Sequence, residues 1–142
     1  MTCDEIMKRD VECVSPGDTV EDAAARMRDA NVGFLPICDQ SRKVLGTLTD
    51  RDITIRLVAA GKPGSTLVED VMTRDAVTCR PEDDIRRAEE LMRVNQKARI
   101  PCVDDTGRVV GVVSLTDLAQ YEDEHRAAEV ITEVTGREAG VH

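Results

Sequence analysis

The chain of 142 residues is almost without aromatic side chains, with one Tyr, one Phe and no Trp. Its core must therefore be built from aliphatic residues and Met. Hydrophobic residues still make up 41% of the chain and charged residues 33%, which is the balance of a globular protein rather than a disordered one. The length suits one compact domain or two small domains packed together.

Positive charge is also scarce, because 28 acidic residues face 19 basic ones and the formal net charge is −9. Proteins that bind duplex nucleic acid normally present a basic face to the phosphates, so this class of function is not expected. No apolar run approaches the roughly 20 residues that span a bilayer, and no signal peptide is visible. We therefore expect a cytoplasmic protein with no membrane or nucleic-acid partner.

Residues for metal binding and catalysis are few. The only histidines are His125 and His142, both near the C-terminus, and none of the five cysteines forms a Cys-x-x-Cys motif. We expect free thiols in a reducing compartment, no metal site and no required cofactor. No Ser/His or Cys/His set is suitably placed for nucleophilic catalysis, so the sequence predicts that the protein is not an enzyme. The cysteines are Cys3, Cys13, Cys38, Cys79 and Cys102.

What the chain does contain is an internal duplication. Residues 4–53 align without a gap on residues 69–118, and thirteen of the 50 positions are identical at an offset of 65. Random pairing at average residue usage would give roughly three identities. The predicted organisation is a first repeat (1–60), a linker (61–66), a second repeat (67–121) and a C-terminal helical tail (122–142).

Each repeat has the same predicted order of elements. An extended lead-in precedes a helix, which begins after Pro16 with Asp18 and Glu21 as an expected capping box. Two short strands and a second helix follow, and in the first repeat these are 34–39, 44–49 and 51–60. The predicted fold class is α+β, with each repeat a short sheet packed on two helices and the repeats related by a pseudo-twofold axis. We expect Gly46 and Gly111 to permit a bend or a close backbone approach.

A four-residue motif, Ser/Thr-x-x-Asp, ends the second strand of each repeat, as Thr49–Asp52 and Ser114–Asp117. It has two interpretations. One is a helix cap, in which the hydroxyl accepts a hydrogen bond from an amide of the first turn. The other is a nucleotide site, in which the hydroxyl binds phosphate, Asp accepts from ribose hydroxyls and Arg51 adds a cation.

The repeats resemble a tandem pair of cystathionine β-synthase-type (CBS) domains, a Bateman module of the small bacterial stand-alone type. The segments that carry this resemblance include "GFLPICD" and "VLGTLTDRDI" in the first copy and "RIPCVDD" and "VVGVVSLTDL" in the second. The resemblance implies a non-catalytic module that binds adenosine ligands such as AMP, ADP, ATP or S-adenosylmethionine in clefts between the repeats. It also implies a homodimer and an effector protein whose identity the sequence does not give.

The resemblance further implies two sets of nucleotide-binding residues. The first set combines Thr49, Arg51 and Asp52 with Val77, Thr78, Ala98 and Ile100. The second set combines Ser114, Thr116 and Asp117 with Val11, Cys13, Gly33 and Leu35. Because only the first set includes the Arg51 cation, we expect it to bind a phosphorylated ligand more tightly. The alternative function is a protein-interaction or dimerisation module whose nucleotide sites are vestigial.

Overall fold

The structure is a computed structural model that describes residues 1–121 and 131–135. A helical tail was expected from an apolar stripe at Ala127, Val130, Ile131 and Val134. Residues 131–135 are helical, and Val134 is buried against the core. Ala127 and Val130 lie outside the described residues, as do His125 and His142.

Each repeat contains the predicted order of helix, strand, strand and helix, preceded by one short helical element that was not predicted. The first repeat contains helices α1 (Cys3–Ile6) and α2 (Val20–Ala30), strands β1 (Phe34–Cys38) and β2 (Val44–Thr49), helix α3 (Asp50–Asp52) and a π-helix (Ile53–Val58). The second contains a 3₁₀ turn (Val68–Asp70), helix α4 (Ile85–Asn95), strands β3 (Arg99–Val103) and β4 (Val109–Ser114) and helix α5 (Leu115–Tyr121).

These elements form two compact units, each with its own core. Unit 1 comprises Met1–Asp10, Val77–Thr106 and the described residues from Val110 onward, and unit 2 comprises Val11–Ala76 and Gly107–Val109. Each unit is a short sheet packed on helices, so the predicted mixed α+β fold is confirmed. The repeat boundaries given above stay a sequence-based prediction, because the compact units are a different division of the chain.

The sheet of unit 2 is centred on the antiparallel hairpin β1–β2, in which Leu35 pairs with Leu48 and Pro36 with Thr47. The lead-in extends it on the β1 side, where Val14 forms a parallel bridge through its amide to the Pro36 carbonyl at 3.1 Å. On the β2 side, Thr47 and Thr73 exchange two backbone hydrogen bonds of 2.9 Å each. The hairpin therefore has an additional segment bridged to each of its edges.

Unit 1 repeats this arrangement around the hairpin β3–β4. Cys79 bridges in parallel to Cys102, and Lys8 exchanges backbone hydrogen bonds of 3.0 and 2.9 Å with Val112. Lys8 belongs to the first repeat, although the hairpin that it joins belongs to the second. Thr73 is the residue equivalent to Lys8, and it joins the hairpin of the first repeat. The two repeats have thus exchanged their first ten or so residues.

A glycine allows each exchanged segment to approach its hairpin closely. A Cβ atom at Gly46 would lie 2.4 Å from the Thr73 carbonyl oxygen, and one at Gly111 would lie 2.9 Å from the Lys8 carbonyl oxygen. Contacts below 3 Å are not tolerated by a real Cβ, so both positions require glycine for packing. The close approach expected at Gly46 and Gly111 is therefore confirmed.

The cores are aliphatic, as the composition requires. Met27, which belongs to unit 2, is 7% exposed, and Met92, which belongs to unit 1, is fully buried. Helix α2 presents its apolar side chains to the unit 2 core at helical spacing, and α4 does the same in unit 1. No helix among the described residues has both the length and the apolar character needed to cross a membrane.

Two local expectations are corrected by the structure. The N-cap of α2 is Thr19, whose hydroxyl accepts from Asp22 N at 3.1 Å, whereas Asp18 accepts from Ser15 N in the preceding turn. The expected capping box of Asp18 with Glu21 is thus wrong, and the N-cap lies one residue later than predicted. The helix expected over 51–60 is a single α-turn that continues as the π-helix, in which the Thr54 hydroxyl donates to the Asp50 carbonyl.

Candidate functional site

The first Ser/Thr-x-x-Asp motif lies where β2 passes into α3. The Thr49 side chain accepts a hydrogen bond from Asp52 N at 3.1 Å, and the Asp52 carboxylate accepts one from Thr49 N at 3.0 Å. These reciprocal bonds form a complete capping box, because Thr49 has the extended backbone of an N-cap residue. The capping interpretation of this motif is therefore confirmed.

The cap leaves part of each side chain available. The Thr49 oxygen accepts from Asp52 N, but its own O–H can still donate. Only Oδ2 of Asp52 takes part in the box, so Oδ1 can accept further hydrogen bonds. Both side chains are half-buried. The capped turn therefore still presents one hydroxyl donor and one carboxylate acceptor to a ligand.

The second motif has the same cap but a different carboxylate. The Ser114 hydroxyl oxygen accepts from Asp117 N at 3.0 Å at the start of α5. Asp117 Oδ2 is buried and has no hydrogen-bond partner among residues 1–121 and 131–135. A buried carboxylate oxygen without a donor is costly, since its lost hydration is not replaced. The second motif is therefore an acceptor that lacks a donor within the described part of the chain.

The first helical turn of each motif has the same net charge, although only one of the two turns contains Arg51. Arg51 is exposed, and Thr116 is the exposed residue at its equivalent position. Asp50, however, lies beside Arg51, and Leu115 stands at the equivalent position. The two three-residue turns thus carry the same formal charge of −1. Asp50 was missed by the sequence reasoning, although its place directly before Arg51 in "LTDRD" was a visible signal.

The backbone at Gly33 and Ala98 has a clear local role. The Gly33 carbonyl accepts from Asp50 N at 3.0 Å, and the Ala98 carbonyl accepts from Leu115 N at 2.8 Å. Each carbonyl thus holds the first turn that follows the motif of its own repeat. A Cβ atom at Gly33 would lie 2.7 Å from Asp50 Oδ2, so the two residues are in close contact.

The other residues implied by the resemblance differ in exposure. Leu35 and Ile100 are 2% and 1% exposed and belong to the cores of their units. Their side chains are therefore unavailable to a ligand, which could contact these two residues only through the backbone. Val77, Thr78, Val11 and Cys13 are half-buried.

The predicted site residues divide evenly between the two units. Unit 2 holds Val11, Cys13, Gly33, Leu35, Thr49, Arg51 and Asp52. Unit 1 holds Val77, Thr78, Ala98, Ile100, Ser114, Thr116 and Asp117. Within a unit, the structure brings the glycine or alanine carbonyl to the motif's helix, and the grouping of residues from different repeats stays a prediction. Among the described residues, no group of three or more His, Cys, Asp or Glu side chains could hold a metal ion.

Comparison with known proteins agrees with this duplicated architecture. A family model of the CBS domain matches twice, over residues 3–59 and 68–124. The CBS domain-containing protein YhcV of Bacillus subtilis is 38% identical over 124 residues, which is 87% of each chain. Among solved structures, the CBS domain protein TA0289 of Thermoplasma acidophilum has a TM-score of 0.84 and 27% identity, and the match covers 94% of this chain and 75% of TA0289.

A second solved structure is that of the CBS domain pair of protein MJ0100 in complex with 5-methylthioadenosine and S-adenosyl-L-methionine. It has a TM-score of 0.78 and 26% identity, and the match covers 85% of this chain and 94% of that one. The two matches of the family model together span most of the sequence. This chain therefore belongs to the CBS domain family and consists of a pair of CBS domains.

Proposed function

We propose that this protein is a ligand-sensing regulatory module that binds adenosine-containing nucleotides and is not an enzyme. Each Ser/Thr-x-x-Asp motif supplies the ribose and phosphate contacts of one site, and the adenine contacts come from the other repeat. The ligands are AMP, ADP, ATP or S-adenosylmethionine, and the setting is the cytoplasm.

The observation that carries this proposal is the unsatisfied acceptor at the second motif. Asp117 Oδ2 is buried without a donor in the described part of the chain. A ribose offers two adjacent hydroxyls, and a carboxylate can accept hydrogen bonds from both. A ribose hydroxyl would provide the missing donor if the Asp117 side chain turns Oδ2 toward the ligand on binding. The first motif offers the same chemistry through the Asp52 oxygen that the capping box leaves available.

The comparisons support the same class of ligand. The MJ0100 domain pair was crystallised with two adenosine compounds, neither of which carries a phosphate. A site in which a carboxylate binds ribose hydroxyls suits such compounds, since it recognises adenosine with or without a phosphate. The carboxylates at Asp52 and Asp117 are therefore the residues on which we base the assignment.

Arg51 gives the two sites different expected preferences. Its guanidinium could bind a phosphate oxygen, whereas Thr116 offers only a hydroxyl at the equivalent position. The neighbouring Asp50 partly offsets that cation. A hydrogen bond to a charged group is worth about 1.5–3 kcal/mol. We therefore expect Arg51→Ala to weaken binding of AMP by an amount within or below this range. Thr116→Ala is the matched control.

Regulation would operate by a change in population. A ligand that binds one arrangement of the protein more tightly shifts the equilibrium toward it, and an effector protein could read that change. We expect the module to be a homodimer, and the effector protein would respond to the ligand-dependent change in that dimer. The bound nucleotide is then a signal and not a substrate.

The test is a calorimetric and thermal-shift titration with AMP, ADP, ATP and S-adenosylmethionine. The variants are Asp52→Asn and Asp117→Asn, because Asn lacks the carboxylate charge and, at position 52, can still accept the hydrogen bond from Thr49 N. A ligand at 100 times its dissociation constant should stabilise the protein by about 2.7 kcal/mol. We expect each variant to lose binding at its own site and to keep the wild-type melting temperature to within a few degrees without ligand.

Two results would count against the proposal. If no adenosine ligand shifts the melting temperature of the folded protein, the module has no working nucleotide site, and the protein-interaction alternative is favoured. If ligand binds the wild type and both variants equally well, the motif carboxylates are caps and the ligand binds elsewhere.

A further inference from the structure

Two thiols of unit 2 lie in direct contact. Cys38 Sγ donates a hydrogen bond to Cys13 Sγ over a sulfur–sulfur distance of 3.1 Å. Cys13 lies in the lead-in before Val14, and Cys38 is the last residue of β1. The backbone holds these segments together, because Cys38 N donates to the Val14 carbonyl at 2.9 Å. A disulfide has a sulfur–sulfur bond of about 2.0 Å, so the two sulfurs would need to approach by about 1 Å.

The two thiols differ in reactivity. The hydrogen bond from Cys38 lowers the pKa of Cys13 to about 7 against the opposing effect of burial, and Arg42 lowers it further. The same hydrogen bond, together with burial, raises the pKa of Cys38. Cys13 is half-buried, whereas Cys38 is only 2% exposed. Cys13 is therefore the thiol that a reagent in solution can reach as a thiolate, and Cys38 is positioned to attack second.

The charged groups around the pair favour a thiolate at Cys13. Arg42 Nη2 donates to the Val11 carbonyl at 3.4 Å, and Arg26 Nη1 donates to the Cys13 carbonyl at 2.8 Å. Asp39 follows Cys38 and raises the pKa of Cys38 by its charge. Arg42 lowers the pKa of both thiols, whereas Asp39 raises the pKa of Cys38, so these charges favour ionisation of Cys13 over Cys38.

The three other cysteines have a different environment. Cys3, Cys79 and Cys102 are each at most 1% exposed and lie in the unit 1 core. At an offset of 65 their counterparts in the repeat alignment are Val68, Val14 and Ile37, which are buried in the unit 2 core. Cys79 also hydrogen-bonds to Cys3 and Cys102, which lowers the pKa of Cys3 and raises that of Cys79. All three thiols are buried, however, and aliphatic residues fill the equivalent positions of unit 2, so we assign them to packing and not to reaction with a reagent in solution.

The reactive pair occurs in one repeat only. The residues equivalent to Cys13 and Cys38 in the second repeat are Thr78 and Val103. The fold therefore accepts Thr and Val at these positions, so packing alone does not require two cysteines there. This comparison also supplies Cys13→Thr and Cys38→Val as substitutions that the same fold already accommodates.

We propose that Cys13 and Cys38 are a redox-active dithiol that forms a reversible intramolecular disulfide with a low-molecular-weight disulfide as oxidant. The Cys13 thiolate attacks one sulfur of the oxidant, breaks its S–S bond and releases one thiolate. Cys38 Sγ then attacks Cys13 Sγ in this mixed disulfide, and its proton leaves with the second thiol. Two protein thiols are oxidised by two electrons in total, and the oxidant is reduced to two thiols.

The test is incubation of the full-length protein with glutathione disulfide under native conditions, followed by acid quenching, denaturation and alkylation. Of the five cysteines, we expect three to be alkylated, and a peptide map should link Cys13 to Cys38. Reduction with dithiothreitol should restore all five. Cys13→Thr should keep four free thiols, whereas Cys38→Val should stop at a mixed disulfide on Cys13.

The matched control exchanges the buried cysteines instead. The double variant Cys79→Val, Cys102→Ile places in unit 1 the residues that occupy the equivalent positions of the unit 2 core. It should form the Cys13–Cys38 disulfide as readily as the wild type. Three results would overturn the proposal: a wild type that keeps five thiols, a wild type that accumulates only mixed disulfide, or a link between Cys79 and Cys102. None of these readouts requires a nucleotide.

Alkylation kinetics test the role of the second thiol independently. The rate of iodoacetamide reaction at Cys13 should rise with pH through a midpoint of about 7 in the wild type. In Cys38→Val the hydrogen bond is lost and the midpoint should move toward the ordinary thiol value. The rate at pH 7 should then fall about tenfold or more, because a pKa of 7 leaves half of the thiol ionised and a pKa near 8.5 leaves about 3%. An unchanged midpoint in Cys38→Val would contradict the assigned pairing.

Discussion

The close approach of the exchanged segment to β2 predicts a large effect of one methyl group. In Gly46→Ala the added Cβ would lie 2.4 Å from the Thr73 carbonyl oxygen and 3.3 Å from Met72 Sδ. The first contact is with backbone, which a side-chain rotation cannot relieve. The segment must move away from the strand, and the two hydrogen bonds of 2.9 Å between Thr47 and Thr73 must lengthen.

The size of the effect follows from these contacts. Overpacking of this kind costs about 1–3 kcal/mol, and a weakened backbone hydrogen bond costs about 0.5–1.5 kcal/mol. Alanine also restricts the unfolded chain, which offsets about 0.4–1 kcal/mol. We expect Gly46→Ala to lower the free energy of unfolding by about 2–3 kcal/mol, a substantial part of the roughly 5–15 kcal/mol that stabilises a native protein.

Two other glycines provide a graded control. A Cβ atom at Gly17 would meet nothing within 4 Å, so Gly17→Ala should leave stability unchanged or raise it slightly. At Gly111 the nearest atom is Met7 Sδ at 2.6 Å, on a flexible side chain that can move, although the Lys8 carbonyl lies at 2.9 Å. Gly111→Ala should therefore cost less than Gly46→Ala but more than Gly17→Ala.

Urea denaturation followed by circular dichroism measures this series. With a slope of about 1–3 kcal/mol per molar, the midpoint of Gly46→Ala should fall by about 1 M or more relative to Gly17→Ala. The reasoning would be refuted if Gly46→Ala and Gly17→Ala had the same midpoint, or if Gly111→Ala were the least stable of the three. Either result would mean that the exchanged segments do not pack on their hairpins as described.

Two further predictions concern the motif cap and the oligomeric state. Thr49→Ala removes the acceptor for Asp52 N and should lower the free energy of unfolding by about 1 kcal/mol. Thr49→Ser keeps the hydroxyl and should retain most of the wild-type stability. Equal urea midpoints for the two variants would contradict the cap. Size-exclusion chromatography with light scattering should give about twice the chain mass of 15.6 kDa at micromolar concentration, and a mass near 15.6 kDa would contradict the homodimer.

The secondary-structure elements of the repeats could be predicted from the sequence because the duplication supplies two aligned copies of each pattern. The offset of 65 aligned two weak patterns, and strand β2 was predicted with the bounds that the structure has. The cap of α2 was misplaced because Asp18 and Thr19 are both good capping residues, and the backbone geometry decides between them. Thr19 has the extended conformation that precedes the first turn, while Asp18 accepts from Ser15 N.

The exchange of the first segments could not be predicted from the same duplication. Met7 and Met72 are identical and equivalent in the alignment, so each fits either hairpin by pattern and volume. Which hairpin receives which segment depends on how the connecting chain runs in three dimensions, and this leaves no local signature in the sequence. The same limit applies to the proposed nucleotide sites, whose motifs are local but whose other predicted residues come from the other repeat.

The two interpretations of the Ser/Thr-x-x-Asp motif are compatible once hydrogen bonds are counted atom by atom. The cap uses a lone pair of the Thr49 oxygen and one oxygen of Asp52, and it leaves the hydroxyl proton and the second oxygen available. The capping bonds also fix both side chains before any ligand arrives, which reduces the entropy lost on binding. A residue that only capped a helix could be replaced by Asn or Ser without further loss. Asp52→Asn therefore separates the two roles, since it keeps the acceptor for Thr49 N and removes the charge that would bind ribose.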